Sequence, residues 1–493
     1  ALNRFLRGVG RPWDHAWMNV RTPPRLLDLA ESSLLRNEAL AISALDPLPR
    51  ELFPALFMKA FYRRRSQTLK AMVQAWPFVR LPLGGLKDVA RVRVGRPIQA
   101  VLEGVDVLLA QKVRPRGCNL QVLDLRSTGQ NFWIMWSGSS DDVYSRSQMA
   151  PVAEVRSRTK QPVAPLDVFI DLCLKKRTLD HFTTYLLSWV ERRKISIHLC
   201  CKKLKISAMP MENIMKVLAQ VQLDCIQEVQ VNCTWQLSTL AAFAPLLGQM
   251  INVQRLYLSH IHRSALEEKE QQHVVQFTSQ FLRLHHLRDL YMDSPVFLKG
   301  HLDQILRNPL DNLIITNCQL TESDLTHLSQ WPHISRLKGL DLSGIMLTQF
   351  TPDLQVLLEE VASNLEELNL EQCGIMDSQL EAILPALSRC SQLRTISLCG
   401  NLLSMAIMEK LLGHTARLSS LKEEFYPAPR ESFSSGGALH LGRLAQLKAQ
   451  LIEMMRGFGG PRTIWLSSSP CPRWGNKTFY HEEPFLYHCY TPA

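Results

Sequence analysis

The chain has 493 residues, of which 46% are hydrophobic, and a formal net charge of +11 at pH 7. This composition is typical of a folded protein with a large core and excludes wholesale disorder. No uncharged apolar run is long enough to cross a membrane, and no apolar signal core follows a charged start, so we expect neither a membrane protein nor a secreted one. The basic excess lies within residues 1–200. Such an excess can meet nucleic acid or an acidic partner, but a solvated basic surface is the simpler interpretation because no aromatic-interleaved basic motif accompanies it.

Two leucine-rich helices are the first predicted elements, within a helical region that we expect over residues 1–90. The pattern RLLDLAESSL spans residues 25–34 and follows two prolines that favour a helix start. Its apolar stripe, at positions i, i+4 and i+8, is Leu26, Ala30 and Leu34. The pattern LPRELFPAL spans residues 48–56, and its apolar positions are Leu48, Pro49, Leu52 and Leu56. Either both stripes pack on the first repeat as a cap, or they dock a partner protein.

Residues 91–136 are expected to hold the first repeat units, with a strand over residues 120–125. The next segment, residues 137–165, is polar, contains proline and serine, and lacks periodicity. We interpret it as a mobile insertion between early repeats. A further strand is predicted at residues 197–199.

A leucine-rich repeat with the spacing L-x-x-L-x-L-x-x-N/C-x-L recurs within residues 166–466. The clearest copy, LRTISLCGNLL, begins at Leu393. Similar copies begin at Leu310, Leu337 and Leu365, in steps of 27 or 28 residues, and degraded copies begin at Ile226, Val253 and Leu287. That length fits one strand and one helix per repeat. The sequence therefore predicts an α/β fold, a leucine-rich-repeat solenoid of the ribonuclease-inhibitor-like horseshoe type, with an N-terminal helical cap and a C-terminal cap over residues 467–493.

Alternation along each predicted strand decides which side chains enter the core and which face the inner surface of the solenoid. The inner-surface residues are Arg255, Tyr257, Asp289, Tyr291, Asp293, Asn312, Asp341, Glu367, Asn369 and Glu371. Acidic groups dominate this set and two members are tyrosines, which suits a peptide or protein ligand of basic character. The same positions also fit ordinary solvated strand residues. Where each strand ends, Asn or Cys is expected to satisfy buried backbone groups.

Enzyme signatures are missing from the sequence, which carries no phosphate loop, HExxH, GxSxG or GxGxxG motif after a strand. We therefore expect a non-catalytic protein that needs no cofactor. The sequence LQVLL at residues 354–358 falls on a repeat helix, so its leucines are predicted to lie in the core.

Several phrases of the sequence resemble the PRAME family. They include SLLRNEALAISALDPLPRELFPALFMKAF, RSQTLKAMVQAWPFVRLPLG, LCCKKLKISAMPM and LGQMINVQRLYLSHIH. The two N-terminal helices also resemble the elongin-binding box and the Cullin-2 box of ubiquitin-ligase receptors. The resemblance implies a substrate receptor of a ubiquitin ligase that contains Cullin-2, elongin B/C and a RING subunit. Its implied elongin contacts are Leu26, Ala30 and Leu34, and its implied cullin contacts are Leu48, Pro49, Leu52 and Leu56.

The resemblance further implies a nuclear and cytoplasmic protein linked to repression of retinoic-acid-receptor transcription, with effects on differentiation, apoptosis and proliferation. Nuclear receptors and chromatin proteins are implied as additional partners, whereas direct nucleic-acid binding is not expected. The family's terminal CPxCG pattern reads CPRWG here, so a zinc site formed by Cys471, His488 and Cys489 is not expected. The family's C-terminal LxxLL reads LIEMM at residues 451–455. Two alternatives to the ligase stay open: a corepressor scaffold that acts without ubiquitination, and an inhibitor that covers an enzyme with its inner surface.

Overall fold

The computed structural model of the protein describes residues 26–89, 95–111, 113–115, 117–128, 132–133, 165–175, 178–262, 270–435, 437–458, 463–467, 477–480 and 487–489. The chain divides into two compact units. Unit 1 comprises residues 1–171, 179–202 and 217–222, and unit 2 comprises residues 172–178, 203–216 and 223–493. The insertion predicted at residues 137–165 falls, except for its last residue, outside the described residues. Within the described ranges, no helix is both long and apolar enough to cross a membrane.

Helices dominate residues 26–222. They are α1 (Leu26–Leu34), α2 (Glu38–Ser43), α3 (Phe53–Tyr62), α4 (Ser66–Gln74), α5 (Leu83–Val89), α6 (Gly95–Ala110), α7 (His181–Glu191) and α8 (Met211–Leu218). A short 3-10 turn, Arg50–Leu52, leads into α3. The accompanying strands are β1 (Arg80–Pro82), β2 (Val122–Asp124), β3 (Leu166–Leu174) and β4 (Ile197–Ile206). In unit 1, β2 pairs in parallel with β1 on one side and β3 on the other.

An aromatic cluster lies at the centre of the unit 1 core. The ring of Phe57 in α3 lies 5.2 Å from that of Trp76 and 5.8 Å from that of Trp133, measured between centroids. All three side chains are almost fully buried. Both indole N–H groups donate to backbone carbonyls of β1, that of Trp76 to Arg80 and that of Trp133 to Pro82. The cluster therefore ties the N-terminal helices to the first strand while its polar atoms stay satisfied.

A strand followed by a helix is the recurring element of unit 2. Its parallel strands are β5 (Glu228–Gln236), β6 (Arg255–His262), β7 (Asp289–Asp293), β8 (Asn312–Thr316), β9 (Gly339–Asp341), β10 (Glu367–Asn369), β11 (Thr395–Ser397), β12 (Glu423–Pro427) and β13 (Thr463–Ser467). Its helices are α9 (Leu237–Leu247), α10 (Glu270–Thr278), α11 (Leu302–Ile305), α12 (Glu322–Ser329), α13 (Thr351–Val361), α14 (Asp377–Leu387), α15 (Met405–Thr415) and α16 (Leu441–Phe458). Two antiparallel strands follow, β14 (Lys477–Tyr480) and β15 (Tyr487–Cys489).

The strand register confirms the predicted repeat of one strand and one helix. Leu313, Leu340, Leu368 and Ile396 occupy equivalent places in successive repeats and are register partners in neighbouring strands. All four are buried, as are the other apolar motif residues of the four clear copies. An α/β fold with a parallel sheet and flanking helices is therefore confirmed. The degraded copies are real repeats as well, since they supply β5, β6 and β7.

Two of the Asn and Cys positions of the motif, Asn401 and Cys373, satisfy backbone groups where the strands end, as predicted. Asn401 accepts hydrogen bonds through Oδ1 from the N–H groups of Cys373 and Ile375, at 3.1 and 3.0 Å. Through Nδ2 it donates to the carbonyls of Leu370 and Leu398, both at 2.8 Å. Cys373, the equivalent residue one repeat earlier, donates its thiol to the carbonyl of Leu342 at 3.2 Å. One amide side chain thus joins two successive repeats.

The positions of two early strands and one repeat helix agree with the sequence predictions. The strands expected at residues 120–125 and 197–199 are present as β2 and β4. The leucines of LQVLL lie in α13 and are buried, as predicted. By contrast, β1 lies inside the region 1–90 that was predicted to be helical, so the sheet of unit 1 begins earlier than expected.

Candidate protein-docking surfaces

Helix α1 presents its leucines to solvent. Leu26 is 86% exposed, and Leu27 and Leu29 are exposed beside it. Ala30 is also exposed and Leu34 is half-buried, so the predicted stripe does not pack into the core. We name the surface formed by Leu26, Leu27, Leu29 and Ala30 the leucine face. An apolar surface of this kind on a helix end is typical of a site that binds another protein.

Polar contacts hold the opposite side of α1 against α3. Lys59 Nζ donates to the backbone oxygen of Asp28 at 2.7 Å and to Glu31 Oε2 at 3.2 Å. Arg63 donates to the backbone oxygen and the hydroxyl of Ser32. Burial raises the pKa of Glu31 above its usual value, although the hydrogen bond and charge of Lys59 act in the opposite direction. Helix α1 therefore inverts the ordinary arrangement of a surface helix, with polar groups inward and leucines outward.

The second predicted stripe has an accessible part and a buried part. Pro49 is exposed, while Leu48 and Leu52 are half-buried. We name these three residues, of which Leu48 and Pro49 precede the 3-10 turn and Leu52 ends it, the proline turn. Leu56 is only 2% exposed, because α3 is buried along most of its length. It therefore belongs to the core, contrary to the prediction that it contacts a partner.

The sequence analysis did not predict two residues of the leucine face, nor the polar contacts that hold α1 against α3. Leu27 and Leu29 lie outside the predicted stripe of three residues, and their exposure depends on the orientation of α1, which periodicity does not determine. Lys59 could have indicated these contacts from the sequence, because it interrupts the apolar run FPALFMKAFY of α3. A lysine in a buried helix requires an anionic or carbonyl partner. Glu31 and Asp28 supply it from the facing helix.

The ten predicted inner-surface residues lie on β6 to β10 and just after β10, and we name them the sheet face. Along β6, β7 and β8 they alternate with buried residues, as predicted. The register aligns Arg255, Asp289, Asn312 and Glu367 in one row across the strands. A second row contains Tyr257, Tyr291, Asp341 and Asn369. The sheet face is thus one continuous surface within unit 2.

Hydrogen bonds within the sheet face orient its carboxylates. Asp289 accepts from Asn312 Nδ2 at 2.6 Å, and Asp341 accepts from Asn369 Nδ2 at 3.0 Å. Burial raises the pKa of Asp341 above its usual value despite these bonds. Each carboxylate has lone pairs beyond those used internally, so it can accept further hydrogen bonds from a ligand.

Tyr257 and Tyr291 form a stacked pair in the middle of the sheet face. Their ring centroids are 4.2 Å apart and their planes differ by 13°. Burial raises the pKa of Tyr291 to about 12, with smaller contributions from Tyr257 and Asp289. The Tyr291 phenol is consequently neutral at physiological pH. A flat aromatic surface beside Asp289 and Asp293 suits a cationic side chain.

The His, Cys, Asp and Glu side chains of the described residues bear on whether a metal site or a reactive thiol is present. No group of His, Cys, Asp or Glu among them could hold a metal ion. Cys471, one member of the zinc set considered from the sequence, lies outside the described residues. Burial raises the pKa of the Cys318 and Cys373 thiols to about 12, which leaves them protonated and unreactive.

The recurring strand and helix of unit 2 define an α/β protein with a repeat-like fold. Residues 23–133 match the PRAME N-terminal domain, and residues 166–489 match the PRAME C-terminal domain. Human PRAME family member 12 is 53% identical over 485 residues, covering 96% of this chain and 98% of the relative. Human PRAME family member 8 is 52% identical over 481 residues, covering 96% and 100% of the two chains. The chain belongs to the PRAME family.

Proposed function

We propose that this protein is the substrate-recognition subunit of a ubiquitin ligase that contains Cullin-2, elongin B/C and a RING subunit, and that it acts in the nucleus and cytoplasm. The leucine face and Leu34 contact elongin C in this assembly. The proline turn contacts the cullin, and the sheet face binds the protein to be modified. The receptor supplies binding surfaces and no catalytic residue.

The exposure of the leucine face is the observation that carries the proposal. Burial of a leucine side chain stabilises a complex by roughly 1.5–3 kcal/mol. Three exposed leucines on one helix therefore leave unused a free energy that a bound partner would gain by burying them. Ala30 lies among them, and its small side chain lets a partner backbone approach closely. The resemblance to the elongin-binding box supports elongin C as that partner.

The sheet face supports a substrate of basic character. Its carboxylates are held in rows by Asn312 and Asn369. The stacked pair of Tyr257 and Tyr291 supplies a flat surface between them. A lysine or arginine side chain gains both from the aromatic faces and from the adjacent carboxylates. These contacts are spread over five strands, which suits an extended protein segment more than a small molecule.

Affinity purification of the full chain from cells tests the proposal. We expect elongin B, elongin C, Cullin-2 and the RING subunit to be recovered with the wild type. Leu26→Asp places a charge where an apolar pocket receives a leucine, so it should abolish recovery of elongin C. Ile195→Asp is the matched control, because Ile195 is 93% exposed but lies outside the leucine face. Equal loss of elongin C in both variants would contradict the proposed contact.

The alternatives predict other outcomes of the same purification. A corepressor scaffold for retinoic-acid-receptor transcription would recover chromatin proteins without elongins or Cullin-2. An inhibitor would recover a single enzyme in stoichiometric amount. Thermal unfolding of each variant separates lost binding from lost folding. A stable Leu26→Asp variant that retains elongin C would overturn the ligase proposal.

A further inference from the structure

A cluster of three cations surrounds one aromatic ring on the sheet of unit 1. The centroid of the Phe169 ring lies 5.2 Å from Arg126 Cζ, 5.8 Å from Lys202 Nζ and 6.0 Å from Arg80 Cζ. The ring is half-buried, so part of it is accessible to solvent. We name Phe169, Arg80, Arg126, Lys202 and the adjacent Asp124 the Phe169 cluster.

Asp124 fixes two of these cations in place. It lies beside Phe169 in the register of β2 and β3, and its side chain is 1% exposed. Arg126 binds it in a bidentate manner, with Nε–Oδ1 and Nη2–Oδ2 distances of 2.9 and 3.0 Å. Arg80 also forms an ion pair with it. A buried carboxylate that holds two guanidinium groups against one ring is a pre-organised arrangement, which lowers the entropy lost when a ligand binds.

The cluster keeps an excess of positive charge. Among the described residues, no carboxylate forms an ion pair with Lys202, whose only described charge-related contact is with the Phe169 ring. Asp171 acts on Arg126 at longer range. Asp167, which shares the face of β3 with Phe169 and Asp171, lies 3.4 Å from His198 and is engaged there. The three cations of the cluster therefore face the carboxylates of Asp124 and Asp171. Arg80 is also 47% exposed and has guanidinium N–H groups beyond those that face Asp124.

We propose that the Phe169 cluster binds an acidic segment of a partner protein. Carboxylates of that segment pair with Lys202, Arg80 and Arg126, and an apolar side chain of the same segment packs on the accessible part of the Phe169 ring. An extended peptide places alternate side chains on one side, so two carboxylates and one apolar group can reach the cluster together. Charge complementarity favours this occupant. The cluster shares no residue with the sheet face, whose acidic groups suit a basic ligand.

Binding of a capped peptide to the full chain tests this site. The probe is acetyl-Glu-Glu-Phe-Glu-Glu-amide, whose blocked termini leave only side-chain carboxylates, and its control is the analogue with Gln in place of each Glu. We expect the acidic peptide to bind and its affinity to fall as salt is added. Lys202→Gln and Phe169→Leu should each weaken it about tenfold, which is the size expected for one charge-assisted contact or one aromatic contact. Lys216→Gln is the matched control, since Lys216 is an exposed lysine on α8.

Each alternative outcome overturns the proposal. Equal binding of the Gln analogue would exclude recognition of carboxylates. An equal loss in Lys202→Gln and Lys216→Gln would reduce the effect to general surface charge. Tighter binding of an oligouridine RNA at the same salt concentration would assign the cluster to nucleic acid instead. Thermal unfolding of Lys202→Gln and Phe169→Leu is measured alongside, and the conclusion rests on whichever variant unfolds as the wild type does. Loss of elongin binding in the earlier experiment would leave these results unaffected.

Discussion

The ammonium group of Lys59 lies 3.2 Å from the carboxylate of Glu31, and each of the two side chains is only 10% exposed. This ion pair joins α3 to the side of α1 opposite its leucines, so the leucine face points away from the core. Ion pairs of this kind add little net stability compared with apolar side chains of the same size, but they are specific in geometry. The contact therefore sets the orientation of α1.

Removal of one partner of this ion pair should be more harmful than removal of both. Lys59→Met leaves the Glu31 carboxylate buried without its ammonium partner and should lower the free energy of unfolding by about 3–5 kcal/mol. The double variant Glu31→Leu with Lys59→Met should recover most of that loss, because two apolar side chains then pack together. Urea unfolding of the wild type, both single variants and the double variant measures the coupling. Additive effects would show that the two side chains do not depend on each other.

The proline turn is expected to act separately from the leucine face. Pro49→Ala combined with Leu52→Asp should abolish recovery of Cullin-2 while elongin C is still recovered, because the two surfaces lie on different elements. Leu56→Asp provides the contrast: it places a charge in the core and should lower the melting temperature by many degrees. The measurement is co-precipitation of both partners beside thermal unfolding. Simultaneous loss of both partners in a stable Pro49→Ala, Leu52→Asp variant would show that the two surfaces act as one.

Asn401 should be the most sensitive polar residue of the repeats. Asn401→Ala leaves two buried N–H groups and two carbonyls without their partner, and we expect a loss of roughly 3–5 kcal/mol in the free energy of unfolding. Cys373→Ala at the equivalent position removes only weak sulfur hydrogen bonds and a small volume, so it should cost about 1 kcal/mol. Chemical unfolding of the two variants measures the difference. Similar losses would mean that the amide is replaceable by water.

Asp124 should make stability depend on acid pH. Burial alone would raise the pKa of this carboxyl, but hydrogen bonds from Arg126 and Arg80 outweigh it and lower the pKa below 3.8. A carboxyl whose folded pKa is lowered stabilises the fold above its unfolded pKa and loses that contribution as pH falls through the folded pKa. Asp124→Asn should therefore be less stable than the wild type at pH 6, and the difference should shrink below pH 3.8. Urea midpoints as a function of pH measure it, and a constant difference would contradict the assignment.

The spacing of leucines was sufficient to predict the repeats, because each motif residue occupies the same place in a strand and its neighbours lie one repeat away. Leu340 and Leu368 illustrate this, since their burial follows from local alternation alone. Helix orientation is different. Periodicity groups Leu26 with Ala30 and Leu48 with Leu56, but it does not say which side faces the core. That choice depends on Glu31 meeting Lys59 across 28 residues of sequence, and on α3 being buried on all sides.

The short strand β1 shows a second limit of sequence reasoning. Its sequence, Arg80-Leu81-Pro82, is too brief for alternation to be recognised and ends in a residue that is unfavourable in a sheet. The strand exists because β2 offers it a parallel partner and because the indoles of Trp76 and Trp133 bind its carbonyls. Cooperation between distant residues therefore creates an element that no local pattern predicts. The Phe169 cluster arises in the same way, from side chains on separate strands and the loop after β2.

The reversal of strand direction after β13 has a consequence for self-association. A stack of parallel repeats that ended on an open strand would present unpaired backbone groups of the same geometry as its own interior, and a second copy could continue the stack. Here β14 pairs with β13 in the antiparallel sense, and β15, only three residues long, is the last strand within the described residues. An edge that consists of a short strand paired in the antiparallel sense is a poor template for another parallel repeat. We therefore expect the edge formed by β14 and β15 to disfavour head-to-tail stacking of two copies.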